Sequence, residues 1–266
     1  MASVEVSGLF FYPLKSAAGI SASTVMLDEF GFRNDRRWML VDDQGQFLSQ
    51  RRFPRFCLVH VMIADDYMQV SAPGQVTLTV NVPSSEASPR QVVVWEDTCQ
   101  VADAGDTAAS WFSDFLQQEC RLVYFPDDVH RQVDTRFARP GEVTAFSDGF
   151  PILLISEASL AALNAKLATP VGMDRFRPNL VVRGCEPFAE DGWQTLALGD
   201  WKLRVVKPCS RCIIPNIDQE TAQRQSEPAK TLATFRRRDN KVFFGQNVIH
   251  QGPGRLSLGD RLEILA

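Results

Sequence analysis

The chain has 266 residues, and its 28 Lys and Arg against 32 Asp and Glu give a net charge of −4. Hydrophobic residues make up 45% and charged residues 23%, which is the composition of a globular protein and excludes a mainly disordered chain. The mild acidity argues against a general binder of nucleic acid or anionic membrane, since such proteins carry a basic surplus. The length suits one large domain or two small ones.

No stretch approaches the roughly 20 apolar residues of a membrane span, so we expect no membrane partner. The N-terminal stretch MASVEVSGLFFYPLKS has neither the basic and apolar regions nor the cleavage site of a secretory signal. The six cysteines are expected to be reduced thiols, because disulfide frameworks are typical of small secreted chains. The sequence therefore predicts a cytoplasmic protein.

The first 100 residues predict mostly strands. The β-rich runs cover 38–41, 46–48, 58–63, 76–82 and 91–95. The run 76–82 alternates apolar and polar residues, which is the period of a half-buried strand, and turn residues 42–45 predict a hairpin between the first two runs. We interpret His60, inside the third run, as structural. Short strands at this spacing predict a small β-barrel or sandwich.

Two helices interrupt the strands. The first is expected to begin at a cap on Asp106 or Thr107, and its apolar face carries Trp111, Phe112, Phe115 and Leu116. The second is expected to follow a cap on Ser156 and to cover 157–167, with leucines at helical spacing. After Pro178 the chain returns to strands, at 180–182, 201–206 and 261–265. The break in pattern over 120–145 predicts a domain boundary.

The strongest local signal is the motif Cys209-Ser-Arg-Cys212. A thioredoxin-like redox site would need a helix directly after the first cysteine, and Pro215 opposes that helix. A structural zinc site needs four ligands, but the chain has no second C-x-x-C and no paired histidine motif. A third interpretation is a soft-metal thiolate at the end of a strand, favoured electrostatically by Arg211. A pair of half-buried structural cysteines stays open as the fourth.

Basic side chains form a second cluster. Lys15 and Ser16 come early in the chain, and the segment that contains them lacks the glycines of a P-loop. Further basic residues follow at Arg36, Arg37, Arg51 and Arg52. Such side chains usually form a solvated face, but if they converge on one pocket they would bind a phosphate or a polar pterin-like ring.

The segment Phe176-Arg-Pro-Asn179 is a third cluster. Pro178 predicts an extended backbone at Arg177, because a proline disfavours the helical region in the residue before it. The amide of Asn179 can form paired hydrogen bonds with the edge of a heteroaromatic ring. The run 236–238, which is three arginines, is interpreted as a solvated charge cluster.

Six segments of the chain, in order and in register, carry a resemblance to a known family: YPLKS, NDRRW, SEASLAALN, FRPNLVV, KPCSRCI and FGQNVI. Together they resemble the MOSC family, named for the C-terminal domain of molybdenum cofactor sulfurase. The chain is most similar to bacterial YcbX-type proteins without a ferredoxin domain, and it is related to the mitochondrial amidoxime-reducing component. The resemblance implies a mostly β fold with a few helices. It places an N-terminal MOSC-type β-barrel domain at 1–120 and a MOSC β-barrel domain at 121–266.

The resemblance also implies a site for the molybdenum cofactor, Mo-molybdopterin. In this family the second cysteine of the C-x-x-C motif ligates molybdenum, so Cys212 is the implied metal ligand and catalytic residue. The residues that match cofactor-binding positions are Lys15, Ser16, Arg36, Asp148, Arg177, Asn179, Ser210 and Arg211. The first three match the positions that hold the phosphate and pterin. A pyridoxal phosphate site is not expected.

The activity implied by the resemblance is reduction of N-hydroxylated compounds such as hydroxylaminopurines, amidoximes and hydroxylamines. The chain contains no G-x-G-x-x-G dinucleotide fingerprint and no ferredoxin cysteine cluster, so electrons are expected from a separate partner such as a ferredoxin, a flavodoxin or a flavin reductase. Lys15, Arg51 and Arg52 are candidates for docking an acidic partner. A carrier of the cofactor or its sulfur, without reductase activity, is the alternative. A non-catalytic interaction module that has lost the cofactor is a third possibility.

Overall fold

The computed structural model describes residues 2–265. Within this range the strands are β1 (Ser3–Phe11), β2 (Ile20–Ser21), β3 (Thr24–Asp28), β4 (Gly31–Phe32), β5 (Trp38–Val41), β6 (His60–Ile63), β7 (Tyr67–Ser71), β8 (Leu78–Asn81), β9 (Pro89–Val94), β10 (Asp97–Asp103), β11 (Arg121–Tyr124), β12 (Ile152–Ser156), β13 (Leu180–Arg183), β14 (Thr195–Leu198), β15 (Trp201–Ser210), β16 (Arg237–Arg238), β17 (Lys241–His250), β18 (Gly254–Ser257) and β19 (Arg261–Ile264). The α-helices are α1 (Asp106–Leu116), α2 (Glu157–Asn164) and α3 (Ala229–Phe235), and short 3₁₀ turns cover Pro54–Leu58, Met173–Arg175, Ala189–Gly192 and Ile214–Asn216.

Seven strands close into a barrel, which confirms the predicted mostly β fold. Their order around the barrel is β12, β13, β1, β19, β14, β15 and β17, and β17 pairs back with β12. The β12–β13 pair is parallel, and the other neighbours are antiparallel. Apolar side chains from these strands, such as Val6, Leu154 and Leu203, fill the interior. The strand β1 is thus part of a barrel that is built mainly from the second half of the chain.

The first half of the chain forms smaller sheets beside the barrel. The strands β5, β11, β10 and β9 make one sheet, and β6, β7 and β8 make another. The apolar face of α1 packs onto their shared core through Phe112 and Phe115. The pairing of β18 with β3 gives a further link between the two halves of the chain. The domain boundary between residues 120 and 121 stays a prediction. β1, before the boundary, pairs with β13 and β19 after it, and β11, after the boundary, pairs with β5 and β10 before it.

The helix termini differ from the expected ones in two places. The N-cap of α1 is Gly105, with φ of 90°, and not Asp106 or Thr107. The Asp106 carboxylate accepts a hydrogen bond from Arg121 at 2.9 Å, so its side chain is engaged away from the helix N-terminus. At α2 the Ser156 cap is confirmed, because its Oγ accepts from the backbone N–H of Ser159 at 3.1 Å. This helix ends at Asn164, where the predicted helix continues to 167; the Asn164 amide is bonded to the loop that follows.

Several predicted strand regions are also shorter; the run 76–82, for example, is reduced to β8 at Leu78–Asn81. Residues 46–48 make isolated bridges and not a continuous strand, although hairpin-type backbone bonds join Asp42 N–H to the Gln46 carbonyl and Leu48 N–H to the Leu40 carbonyl. The turn before them does form, with the Asp42 carboxylate accepting from the backbone N–H groups of Gln44 and Gln46. The strand predicted at 58–63 begins at His60, because the residues before it form a 3₁₀ turn. Among the helices of residues 2–265, none combines the length and the apolar character that crossing a bilayer requires.

Candidate active site

One cavity, of about 400 Å³, brings together every site residue that the family resemblance implies. Its walls come from the loop after β1, the segments that precede β12 and β13, and the end of β15. The predicted residues that line it are Lys15, Ser16, Arg36, Asp148, Arg177, Asn179, Ser210, Arg211 and Cys212. The structure establishes their proximity, while their individual roles stay predictions.

Lys15 is a buried cation at one side of this cavity. The side chain is 7% exposed, and its Nζ donates to the Phe146 carbonyl at 2.7 Å and to Asp148 Oδ1 at 2.5 Å. Burial lowers the pKa of this ammonium to about 8, although Asp148 opposes the shift. The ammonium is therefore charged at neutral pH and close to losing its proton in mild alkali.

Arg36 is held by a buried carboxylate. Its Nη1 donates to Asp35 Oδ2 at 2.5 Å and to Asn179 Oδ1 at 3.0 Å. Asp35 is only 3% exposed and also accepts the Tyr12 backbone N–H at 2.7 Å. Because burial raises the pKa of Asp35 and these donors oppose that shift, the carboxylate depends on Arg36 to stay ionised. The pair fixes the guanidinium at the cavity wall.

Arg177 packs against the ring of Tyr12, as Arg36 does. Its guanidinium carbon is 4.2 Å from the Tyr12 ring centre, the Arg36 carbon is 4.5 Å from it, and Arg177 Nη1 donates to the Ala17 carbonyl at 2.6 Å. Burial raises the pKa of Tyr12 to about 12 and lowers that of Arg177 to about 10, so at neutral pH the phenol is neutral and the guanidinium charged. Two cations are thus stacked on one ring.

The expected extended backbone at Arg177 is wrong. Its φ is 55°, and Ser16 and Arg36 also have positive φ values, of 72° and 49°. Non-glycine residues with positive φ cost free energy, and they persist where surrounding contacts impose the conformation. Here the Arg177 N–H is bonded to the Asp174 carbonyl and its side chain to the loop after β1, so tertiary contacts override the local effect of Pro178. Of the ten non-glycine residues with positive φ in the described part of the chain, four line the cavity.

Arg211 contacts both the segment that contains Arg177 and one of the two thiols. Its Nη2 donates to the Phe176 carbonyl at 2.8 Å, and its Nη1 lies 3.3 Å from Cys209 Sγ. Its Nε is buried and has no hydrogen-bond partner among residues 2–265, so one donor of this cavity-lining guanidinium is unused. The cationic wall of the cavity consists of Lys15, Arg36 and Arg177.

Cys212 is the exposed thiol of the motif. Its Sγ accepts a long contact of 3.5 Å from the Ile214 backbone N–H, while Cys209 is only partly exposed and contacts Arg211. A 3₁₀ turn at Ile214–Asn216 follows in place of the long helix of a thioredoxin-like site. Within residues 2–265, no group of three or more His, Cys, Asp and Glu side chains is arranged to hold a metal.

The rim of the cavity holds residues that sequence reasoning did not assign to the site. Trp95 is 47% exposed with φ of 59°, its ring centre is 4.7 Å from the Arg51 guanidinium carbon, and its Nε1 donates to Asp148 at 3.4 Å. Asn247 projects from β17 into the same lining. The FGQNVI segment contains Asn247, so the family resemblance could have indicated it; nothing in the sequence around Trp95 signals a site.

The donor set fits an anionic cofactor with a metal at one end. Among the cavity-lining residues, Lys15, Arg36, Arg51, Arg177 and Arg211 are cationic and Asp148 is acidic. A surplus of positive charge with fixed guanidinium geometry suits phosphate and a polar heterocycle. The exposed thiol at the other end is a soft ligand of the kind molybdenum takes. The residues present therefore fit molybdopterin.

Comparison with known proteins finds two domain matches along the chain. Residues 3–119 match the MOSC N-terminal beta barrel domain, and residues 141–263 match the MOSC domain. Mitochondrial amidoxime-reducing component 1 from Mus musculus is 34% identical over 279 residues, covering 98% of this chain and 82% of that protein. Mitochondrial amidoxime reducing component 2 from Rattus norvegicus is 35% identical, covering 96% of this chain and 81% of that protein.

A third relative has a different name. Molybdenum cofactor sulfurase from Danio rerio is 33% identical over 94% of this chain, and the match covers 32% of that protein. All three relatives therefore match nearly the whole chain. With the two domain matches in their order along the sequence, this places the chain in the MOSC family, among the members that combine the N-terminal β-barrel domain with the MOSC domain and include the mitochondrial amidoxime-reducing components.

Proposed function

We propose that the protein is a molybdenum-cofactor-dependent reductase of N-hydroxylated compounds, such as amidoximes, hydroxylamines and hydroxylaminopurines. The observation that carries the proposal is one cavity that joins a buried cationic wall to an exposed thiol. The names of the amidoxime-reducing relatives point to the same substrate class. The reaction consumes two electrons and two protons, breaks the N–O bond and releases water.

The cationic wall would hold the cofactor's phosphate and pterin. Lys15 and Arg36 would donate charge-assisted hydrogen bonds to phosphate oxygens, with the Ser16 hydroxyl beside them. The Asn179 side chain accepts hydrogen bonds from Arg36 and from the Leu153 N–H, and it donates one to the Phe10 carbonyl. These contacts would hold the cationic wall in position. Because these contacts exist in the protein itself, Arg36 and Asn179 would need little reorganisation on binding.

The thiol end would hold the metal. Cys212 is the proposed ligand, and the bound cofactor would supply the two-electron chemistry at molybdenum. The exposure of Cys212 leaves room for a substrate to reach the metal from solvent. Arg211, anchored to the Phe176 carbonyl, would direct its free Nε donor at an oxygen of the cofactor or substrate.

Electrons would come from a separate redox protein. The structure corrects the predicted docking residues, because Lys15 is buried against Asp148 and cannot contact a partner. Arg51 is partly exposed and Arg52 is exposed, and both remain candidates for docking an acidic donor such as a ferredoxin or flavodoxin. We expect NADH alone to give no turnover, while a reduced partner restores it with a rate that falls as salt rises.

The test is reduction of benzamidoxime by cofactor-loaded protein with an artificial one-electron donor. The proposal predicts formation of the amidine by the parent protein and none by Cys212→Ala. Cys209→Ala, which alters the neighbouring thiol, is the matched control and should retain part of the activity. Fully loaded parent protein that reduces no N-hydroxylated compound would contradict the proposal.

A cofactor or sulfur carrier is the second candidate, and the match to molybdenum cofactor sulfurase favours it. A carrier would bind one equivalent of pterin and metal and pass the cofactor, or its sulfur, to an acceptor protein without reducing the substrate. Metal and pterin analysis alongside the same assay separates the two functions.

A further inference from the structure

Asp148 differs from the other residues of the cavity in the sign of its charge. Among the described residues that line the cavity it is the one acid, and it lies against Lys15, where the cofactor's phosphate is expected. A carboxylate paired with two cations accepts hydrogen bonds and donates none. A phosphate has the same requirement, so Asp148 and a bound phosphate compete for Lys15.

The contacts of Asp148 allow it to leave Lys15 without losing every partner. Its Oδ1 is 2.5 Å from Lys15 Nζ, and its Oδ2 is 3.3 Å from Arg51 Nη2. Trp95 Nε1 donates to it at 3.4 Å. The Asp148 side chain is 58% exposed, whereas the side chain of Lys15 is 7% exposed. The carboxylate can therefore rotate toward solvent while Lys15 stays in place.

We propose that Asp148 is a displaceable counter-ion: it neutralises Lys15 in the empty cavity, and an incoming dianionic phosphate displaces it toward Arg51 and Trp95. The inference rests on the proposed function only for the identity of that phosphate. The exchange requires no covalent step.

This arrangement makes Asp148 a determinant of anion specificity. A buried ammonium without a counter-ion is costly, so the carboxylate stabilises the protein when no anion is bound. To replace it, an anion must interact with the cationic wall more strongly than one carboxylate does. Phosphate carries more charge and more acceptor atoms than acetate, so Asp148 favours phosphate and rejects small monoanions.

The experiment compares the parent protein, Asp148→Asn and Asp148→Ser as cofactor-free proteins, with inorganic phosphate as the probe in isothermal titration. We expect about tenfold tighter phosphate binding in both variants, because a like charge at the site is removed. We also expect a smaller preference for phosphate over acetate, and a lower thermal midpoint without anion that phosphate restores. Asp134→Asn, which removes a partly exposed carboxylate paired with Arg136 outside the cavity, is the charge-matched control and should change neither the phosphate affinity nor the preference for phosphate over acetate.

Equal or weaker phosphate binding by both variants, including no detectable binding by any of the proteins, would overturn the proposal. The outcome is independent of turnover. If the Asp148 variants bind phosphate more tightly but the parent protein reduces no N-hydroxylated compound, the counter-ion proposal stands and the proposed function is contradicted. An active enzyme whose phosphate affinity is the same with and without the Asp148 carboxylate would support the proposed function and overturn the counter-ion proposal.

Discussion

The two ends of the cavity are built in different ways. At the cationic end, Lys15, Arg177 and Asn179 are 5%, 9% and 1% exposed, and each is tied to backbone carbonyls far away in the sequence. At the thiol end, Ser210 and Cys212 are exposed and make few contacts. The contrast separates two requirements: recognition of a large anion needs fixed donors, whereas a reacting centre needs access.

Cys212→Ala is expected to have the largest effect on activity. Loss of the proposed metal ligand should abolish N-hydroxylated substrate reduction and metal retention, since a single protein thiolate would complete the metal's coordination. Phosphate affinity should stay within twofold of the parent value, because the cationic end is built separately. Metal analysis and phosphate titration measure the two ends independently. If Cys209→Ala behaves identically, the thiols act as a pair, and a redox or zinc site must be reconsidered.

Arg36→Met tests the opposite end and should affect stability as well as binding. Its removal leaves Asp35, 3% exposed, without its cation, and breaking a buried pair in this way costs roughly 3–5 kcal/mol. Anion affinity should fall about tenfold or more with the lost charge-assisted hydrogen bond. Denaturant unfolding and phosphate titration measure these changes.

The matched controls for this change are Arg237→Ala and Arg238→Ala, at two exposed arginines of β16. Each should stay within about 0.5 kcal/mol of the parent free energy of unfolding. Equal losses at Arg36 and at either control would mean that the cationic end is not the binding wall.

The pH dependence of anion binding should show the titration of Lys15. Its pKa of about 8 in the folded protein lies below the ordinary lysine value of 10.5, so between these two pH values the unfolded chain binds more protons. The stability penalty from this group is therefore fully present below pH 8 and is relieved as the pH rises to 10.5. Phosphate affinity should change in the opposite direction, falling several-fold between pH 7.5 and 9.5 as the ammonium is lost. Lys15→Met should bind phosphate weakly, without this decline.

Cys209→Ser should have the smallest effect. The serine hydroxyl can accept the hydrogen bond that Arg211 Nη1 makes to Cys209 Sγ at 3.3 Å, so activity should stay within about twofold of the parent. Cys209→Ala, which leaves that guanidinium donor without a partner, should lose activity several-fold. Steady-state kinetics of the two variants measure the difference. Equal losses would place the role of Cys209 in its sulfur and not in holding Arg211.

Much of this organisation follows from the sequence, because family motifs mark residues that converge. The short segments around Lys15, Arg36, Arg177 and Cys212 are far apart along the chain, and their residues line one cavity. Local patterns also predict the Ser156 cap and the buried face of α1. In both cases the signal lies in a few neighbouring residues, which local physical rules describe well.

The remaining features depend on contacts over long distances in sequence. The left-handed backbone of Arg177 comes from contacts with residues near position 17, against the local rule for a residue before proline. Arg236, predicted to be solvated, forms an ion pair with Asp191, and its side chain is 12% exposed, whereas Arg237 and Arg238 are exposed as predicted. The position of Trp95 over Arg51 follows from the packing of the smaller sheets. No single segment contains this information.

The place of β1 in the barrel has a consequence for how the protein is made. This strand leaves the ribosome before its barrel partners β13 and β19, which are formed by Leu180–Arg183 and Arg261–Ile264. The barrel therefore cannot close during translation until β19 has emerged, and until β13 emerges β1 can pair only with β2, at Phe10 and Phe11. Pairings between such distant segments slow folding and expose edges to aggregation, so this strand is the element for which a chaperone would matter most.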